Sequence, residues 1–162
     1  MLKRAVYPGT FDPFTLGHLD IVERATRIFD KVIIGVANPR HKEPLLPLDV
    51  RKRLIEESVK HLKNVEVLEF EGLLVDFLKK IGVKTVIRGL RAVSDYEYEL
   101  KMAWINKKLY EDMETIFLLS SEQFAYLSSS FVKEIFSLGG DIRPFVPKVV
   151  ADYLESLRKD LN

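Results

Sequence analysis

Cysteine is absent from these 162 residues. Its absence excludes disulfides, thiolate nucleophiles and cysteine-ligated metals, and it fits a reducing compartment. A surplus of positive charge is missing as well: 25 Lys and Arg stand against 24 Asp and Glu, a net charge of +1. General nucleic-acid binders rely on such a surplus, so nucleic acid is not an expected partner, and any hold on phosphate must come from a few placed groups. No apolar run approaches the length of a transmembrane span, and the start, MLKRAVYPG, lacks the apolar stretch of a signal peptide. A cytoplasmic protein without membrane attachment is the expectation. HExxH, the EF-hand loop, GxxxxGK[ST] and GxGxxG are also missing, so no metal held by protein ligands is expected.

Hydrophobic residues make up 47% and charged residues 30%, the balance of a folded globular chain of one-domain size. With no repeat, linker or low-complexity tract, residues 1–162 read as a single domain. Ala5-Val6-Tyr7 predicts a short strand broken by Pro8-Gly9. Ile21, Val22, Ala25, Ile28 and Phe29 then mark one helical face. Val32 to Ala37 is a continuous apolar run, as in a strand covered on both faces. A helix follows with Leu54, Ile55, Ser58 and Leu62 on one side, and the half-apolar Val65, Val67 and Phe70 suggest an edge strand. A helix over 73–81 ended by Gly82, a strand over 85–87, a helix over 96–109 and a strand over 115–119 come next. The chain closes with a helix over 131–138 stopped by Gly139-Gly140 and a last helix with Pro147 in its first turn. Five strands alternating with helices predict an α/β fold: a single Rossmann-like, five-stranded parallel sheet with helices on both faces.

The unusual polar segments, 8–15, 38–44, 88–91 and 120–130, each follow a strand. In an open parallel sheet they gather at the carboxyl edge, where ligands bind near the reversal of strand order. In the first segment Gly9 permits close backbone approach, Thr10 offers a hydroxyl, and Gly17-His18 open a helix whose free N–H groups favour phosphate. His18 falls on the stripe 18-22-25-29 and should point inward. By themselves these are two turn glycines and a semi-buried histidine. Ser128-Ser129-Ser130 by themselves are an ordinary helix N-cap. Arg88 and Arg91 flank a glycine, and arginine forks match phosphate oxygens.

GTFDPFTLGH, with Thr15-Leu16-Gly17-His18, resembles the first signature of the nucleotidylyltransferase superfamily, written HxGH or TxGH. Leu127-Ser128-Ser129-Ser130-Phe131-Val132-Lys133 resembles the second, ISSSxxR/K. Ile87-Arg88-Gly89-Leu90-Arg91 with Asp95-Tyr96-Glu97-Tyr98-Glu99 completes RGLRxxxDxxYE, which is similar to the bacterial phosphopantetheine adenylyltransferase family along essentially the whole chain. Two departures are small: Leu127 replaces the commoner isoleucine, and Phe14 stands where a smaller aliphatic is frequent.

The resemblance implies adenylyl transfer from ATP to 4′-phosphopantetheine, giving dephospho-coenzyme A and pyrophosphate. It assigns His18 to transition-state stabilisation and Thr10 to both substrates. Lys42 and Arg88 would hold the acceptor phosphate, and Leu74 would line the pantetheine arm. Phe11, Gly89, Leu90, Arg91 and Glu99, with Phe124, Ala125, Tyr126, Leu127, Ser128, Ser129 and Ser130, would form the ATP site. The acceptor phosphate is largely a dianion near neutral pH, its second pKa being about 6, so direct attack needs no general base. Positioning and electrostatic stabilisation should dominate, with Mg²⁺ carried on the triphosphate and no covalent intermediate.

RGLRxxxDxxYE argues against two related transferases, one acting on nicotinamide mononucleotide and one using CTP. A non-catalytic nucleotide sensor is the rival of another class, opposed by the presence of Thr10, His18, Arg91 and Ser129 together. His41 reads as a solvated loop residue, His61 as a complement to a helix C-terminus, and Glu56-Glu57 and Glu111-Asp112-Glu114 as solvated faces. Met102, Trp104, Ile105 and Leu109 put large apolar groups on more than one face of their helix, a hint of subunit contacts. The family resemblance implies a homohexamer.

Overall fold

A computed structural model describes residues 1–161, with Val93 and Ser94 entering by backbone alone. Five parallel strands form one sheet in the order β3-β2-β1-β4-β5. They are β1 (Arg4–Gly9), β2 (Lys31–Asn38), β3 (Val65–Glu71), β4 (Thr85–Leu90) and β5 (Glu114–Leu119). The helices are α1 (Leu16–Ala25), α2 (Leu48–Val59), α3 (Leu74–Ile81), α4 (Val93–Leu109), α5 (Ser129–Ser137) and α6 (Lys148–Asp160). The predicted class and element order hold. No helix among the described residues is long and apolar enough to cross a membrane.

Strand alternation sorts the core. Ala5 and Tyr7 of β1 and Val32, Ile34 and Val36 of β2 meet α1 and α2 through Val22, Ala25, Ile55 and Val59. Val6, Ile33 and Val86 turn to the opposite face and meet Val75, Phe77 and Leu78 of α3. A third cluster joins α2, α5 and α6 through Leu54, Val132, Val150 and Leu154. β3 is an edge strand with Val67 buried, as its half-apolar pattern predicts. Gly82 ends α3 in the left-handed conformation, with φ 70°, where a side chain would be strained.

Several boundaries differ from expectation. α1 ends at Ala25, so Ile28 falls beyond the helix and is exposed, while Phe29 still packs on the core. Pro147 is the N-cap of α6, one residue before the predicted first turn. β1 runs through Pro8 and Gly9 because its pairing with β2 continues to Gly9↔Val36. On its other side β1 registers with β4 at Val6↔Val86. Pro8 has no N–H to extend a ladder, and its carbonyl accepts from the Arg88 side chain. The sheet order reverses between these two strands, and their carboxyl ends part there.

Candidate active site

That parting opens a cleft of about 400 Å³, within the range of small-ligand sites. One wall descends from β1. Phe11 adopts a positive φ of 52°, and its ring folds back over Gly9, where an added Cβ would lie 2.9 Å from it. Gly9 thus makes room for Phe11 on that side rather than for a ligand. Asp12-Pro13 is a cis peptide. Thr15 caps α1 by accepting from His18 N–H at 3.2 Å, and the His18 ring reaches back so that Nδ1 accepts from Thr15 N–H at 3.0 Å. This is a capping box with histidine in the place usually taken by Glu or Gln.

His18 is half-buried, as its place on the inward stripe predicts, and its ring lies 5.0–6.3 Å from those of Tyr7, Phe11 and Phe14. Burial, and then the charges of Arg91 and Arg88, lower its pKa to about 3. The imidazole is therefore neutral at physiological pH. Because Nδ1 accepts, the proton resides on Nε2, which has no hydrogen-bond partner among the described residues and belongs to a side chain lining the cleft. Burial likewise pushes the neighbouring Tyr7 hydroxyl up to about 12, so it stays protonated.

The opposite wall comes from β4 and α4. Arg88, Gly89 and Leu90 are the last residues of β4, not a segment after it. Arg88 forks onto Glu99, with Nε to Oε2 at 2.7 Å and Nη2 to Oε1 at 2.5 Å, while Nη1 donates to Pro8 O at 2.9 Å. Burial alone would lower the Arg88 pKa, but the Glu99 hydrogen bonds and charge raise it above its ordinary value. Three of its five N–H groups are engaged, which leaves two for a ligand. Arg91 pairs with Asp95 through Nε at 3.0 Å and donates Nη1 to Leu127 O.

The third side is the N-terminus of α5. Ser128 is its N-cap and accepts from Phe131 N–H at 3.1 Å, so Ser129 and Ser130 occupy the first turn. Ser129 Oγ donates to Pro13 O at 2.8 Å, and Lys133 Nζ lies 3.2 Å from Asp12 Oδ2, tying the two signatures together. Neither α1 nor α5 has an acidic residue in its first turn. Their positive dipole ends therefore face the cleft without an internal counter-charge, an arrangement that suits a polyphosphate.

Of the residues singled out by sequence, Thr10, Phe11, His18, Lys42, Arg88, Gly89, Arg91, Glu99 and Leu127 to Ser130 line this cleft. Lys42 is exposed on the loop after β2, and its ammonium has no partner among the described residues. Leu74, Leu90, Phe124, Ala125 and Tyr126 are not brought into the lining. Leu74 begins α3 and packs beside Val75 and Leu78, Leu90 O accepts from Ser120 N–H, and Phe124 packs with Leu127 in the α5–α6 cluster. Tyr126 is exposed, its ring edge-on to Phe145. His41 is exposed as expected, whereas His61 pairs with Glu23 of α1 at 2.9 Å rather than with its own helix end.

Sequence reasoning missed Asp12, Arg51 and the Asp20–Ser121 contact. Asp12 is 2% exposed and accepts from Leu45 N–H and Leu46 N–H. Asp20 accepts from Ser121 Oγ at 2.8 Å and pins the loop after β5 to α1. Arg51 had a visible signal: a lone arginine in register with Leu54, Ile55 and Ser58 on the buried face of α2.

Residues 6–135 match the cytidylyltransferase-like family. The chain is 53% identical over 154 residues to a phosphopantetheine adenylyltransferase of Clostridium botulinum (strain Eklund 17B / Type B), covering 94% of this chain and 97% of that one. A phosphopantetheine adenylyltransferase of Dictyoglomus thermophilum is 54% identical over 151 residues, covering 93% and 92%. Among solved structures, a candidate nicotinate-nucleotide adenylyltransferase of Vibrio parahaemolyticus superposes with TM-score 0.73 at 19% identity, covering 95% of this chain and 91% of that one. A bifunctional NMN adenylyltransferase/ADP ribose pyrophosphatase of Francisella tularensis gives 0.72 at 16%, covering 98% and 50%. At such low identity these two structures speak for the fold alone.

Proposed function

Because the chain belongs to the cytidylyltransferase-like family and, within it, to the phosphopantetheine adenylyltransferases, we infer that it catalyses adenylyl transfer from ATP to 4′-phosphopantetheine. The products are dephospho-coenzyme A and pyrophosphate, and the reaction is reversible. The observation that carries this reading to the chain's own residues is the cleft itself. Two uncompensated helix N-termini and four cationic side chains, Lys42, Arg88, Arg91 and Lys133, converge beside a neutral histidine.

In the mechanism we propose, an acceptor phosphate oxygen bonds to the α-phosphorus of ATP as the bond from that phosphorus to the bridging oxygen breaks. The pair of electrons leaves with pyrophosphate, and no covalent enzyme intermediate forms. The acceptor is already ionised, so the cleft needs no general base. His18 Nε2–H donates to the oxygens that gain charge in the transition state; a neutral ring protonated on Nδ1 instead would have no proton on Nε2 to give. Thr10 sits between the two substrates. Lys42 and the two free N–H groups of Arg88 hold the acceptor phosphate, and Glu99 orients Arg88. Arg91 and the α5 N-terminus, Ser128 to Ser130, hold ATP, with Phe11, Gly89, Leu90 and the 124–127 segment around the nucleoside. The pantetheine arm extends along the same sheet edge toward Leu74 at the start of α3.

Mg²⁺ carried on the triphosphate would supply further charge neutralisation. The donor set fits an ion carried that way: Asp12, Asp95 and Glu99 each already hold a cation or a backbone N–H. Phosphate oxygens and water would complete its shell.

Assembly into homohexamers and a cytoplasmic location belong to the same reading. Trp104, Ile105 and Leu109 of α4 and Ile116 and Leu119 of β5 are all exposed, an apolar group of the kind that subunit contacts cover. The deciding experiment supplies ATP, Mg²⁺ and a panel of acceptor phosphates and measures pyrophosphate release. Release with 4′-phosphopantetheine alone is expected. Release with nicotinamide mononucleotide would overturn the acceptor, and release with none would favour a nucleotide sensor.

A further inference from the structure

We propose that buried Arg51, acting with Asp12, is a positioning group that sets where Lys42 stands over the acceptor phosphate; the proposal rests on the acceptor assignment above. Arg51 is 1% exposed on α2, at a position where the helix's apolar stripe calls for an aliphatic side chain. Its guanidinium meets three backbone carbonyls instead. Nε donates to Leu46 O at 2.9 Å, and Nη1 donates to Thr10 O and Ala37 O, both at 2.8 Å.

Those acceptors have a common meaning. Ala37 is where the chain leaves β2 for the loop that carries Lys42, and Leu46 is where that loop returns. One planar cation therefore grips both feet of the loop and references them to Thr10, on the other side of the acceptor phosphate. Asp12 completes the grip: Oδ1 accepts from Leu46 N–H at 2.9 Å and Oδ2 from Leu45 N–H at 2.8 Å. Leu46 is thus held by its N–H through Asp12 and by its carbonyl through Arg51, and its side chain is 1% exposed.

A purely space-filling residue would avoid the cost of desolvating a charge. A lysine would keep the charge but has one nitrogen, so it could not bridge Leu46 and the Thr10–Ala37 pair from two separate atoms. The cation keeps its partners at the three chain ends that must agree if Lys42 and Thr10 are to meet the same phosphate. Lys42, by contrast, has no partner among the described residues and inherits its position from the feet of the loop.

The test is a double-mutant cycle in steady-state kinetics. Arg51→Lys is made alone and with Lys42→Ala, and KM is measured separately for 4′-phosphopantetheine and ATP. Arg51→Lys should raise the acceptor KM roughly tenfold while the ATP KM moves about threefold or less. With Lys42 already removed, the same substitution should change the acceptor KM by no more than about twofold. Equal shifts in both KM values, full additivity with Lys42→Ala, or unchanged kinetics would each overturn the proposal. If Arg51→Lys does not fold, Asp12→Asn leaves one acceptor oxygen for the two N–H groups of Leu45 and Leu46 and so loosens the loop's return from the other side, and its cycle with Lys42→Ala decides by the same outcomes. Failure of the wild-type protein to use 4′-phosphopantetheine would overturn the acceptor assignment instead. The cycle is then read with whichever acceptor of the panel releases pyrophosphate, so the two failures remain distinct.

Discussion

The wall of the cleft that descends from β1 and the wall that rises from β4 are built on opposite plans. In the first, polar side chains grip backbone: Asp12 holds Leu45 and Leu46, Thr15 and His18 hold each other's N–H groups, and Phe11 and Phe14 are buried behind them. In the second, charged side chains mainly hold one another, Arg88 with Glu99 and Arg91 with Asp95, each arginine keeping a single bond to backbone, at Pro8 O or Leu127 O, and the helix behind them leaves Trp104 64% exposed. A group bound to backbone has its position set by the fold. A group bound to another side chain can exchange that partner for a ligand. The first wall accordingly suits the reaction centre, and the second suits recognition and assembly.

The largest test of this contrast pairs one residue from each wall. His18→Ala should lower turnover by about a hundred- to a thousandfold, the usual consequence of losing one transition-state donor, with little change in ATP binding. Arg88→Ala should weaken acceptor binding more than ATP binding. A titration showing the reverse order for Arg88, or near-normal turnover without His18, would break the division between walls.

A smaller effect sharpens the description of His18. Its folded pKa of about 3 lies below its ordinary 6.5, so below pH 6.5 the unfolded chain takes up a proton that the folded chain refuses. The associated stability is complete above pH 6.5 and is lost as the pH falls toward 3. In urea unfolding between pH 7 and pH 5, the ligand-free protein should lose up to about 2 kcal/mol more than His18→Gln. Equal losses would show that the imidazole is charged in the folded state.

The smallest effect is expected on the outer side of the second wall. Trp104→Ala should change the unfolding free energy of the dissociated chain by no more than about 0.5 kcal/mol, since its ring covers little of the core. In sedimentation, the same variant should shift the protein toward smaller species. An assembly indifferent to Trp104 would mean that this face is not the contact.

Much of the frame was legible. The unbroken apolar run of β2, the half-apolar β3 and the glycine ending α3 each have one physical reading, and the structure follows it. The extension of β4 through Arg88 was not legible, because a strand that ends in charge looks like a loop until its partner Glu99 is found eleven residues away. Ile28 had the right spacing for the α1 stripe, yet the helix stops first. Within the site, sequence signatures led to His18, Arg88, Arg91 and the serines. Of the groups that hold the frame, Arg51 showed only as a charge on the apolar stripe of α2, and Asp12 showed not at all; the partners of both are carbonyls and N–H groups, which a sequence does not distinguish.

The capping box of α1 has a consequence for how errors are handled. One hydrogen bond, from Thr15 N–H to His18 Nδ1, both starts the helix and decides which ring nitrogen carries the proton. A molecule whose α1 has frayed at that end also loses the tautomer needed at the reaction centre. Correct folding and chemical competence are thus read from the same bond. A partly unwound copy should be silent rather than a slow or inaccurate catalyst.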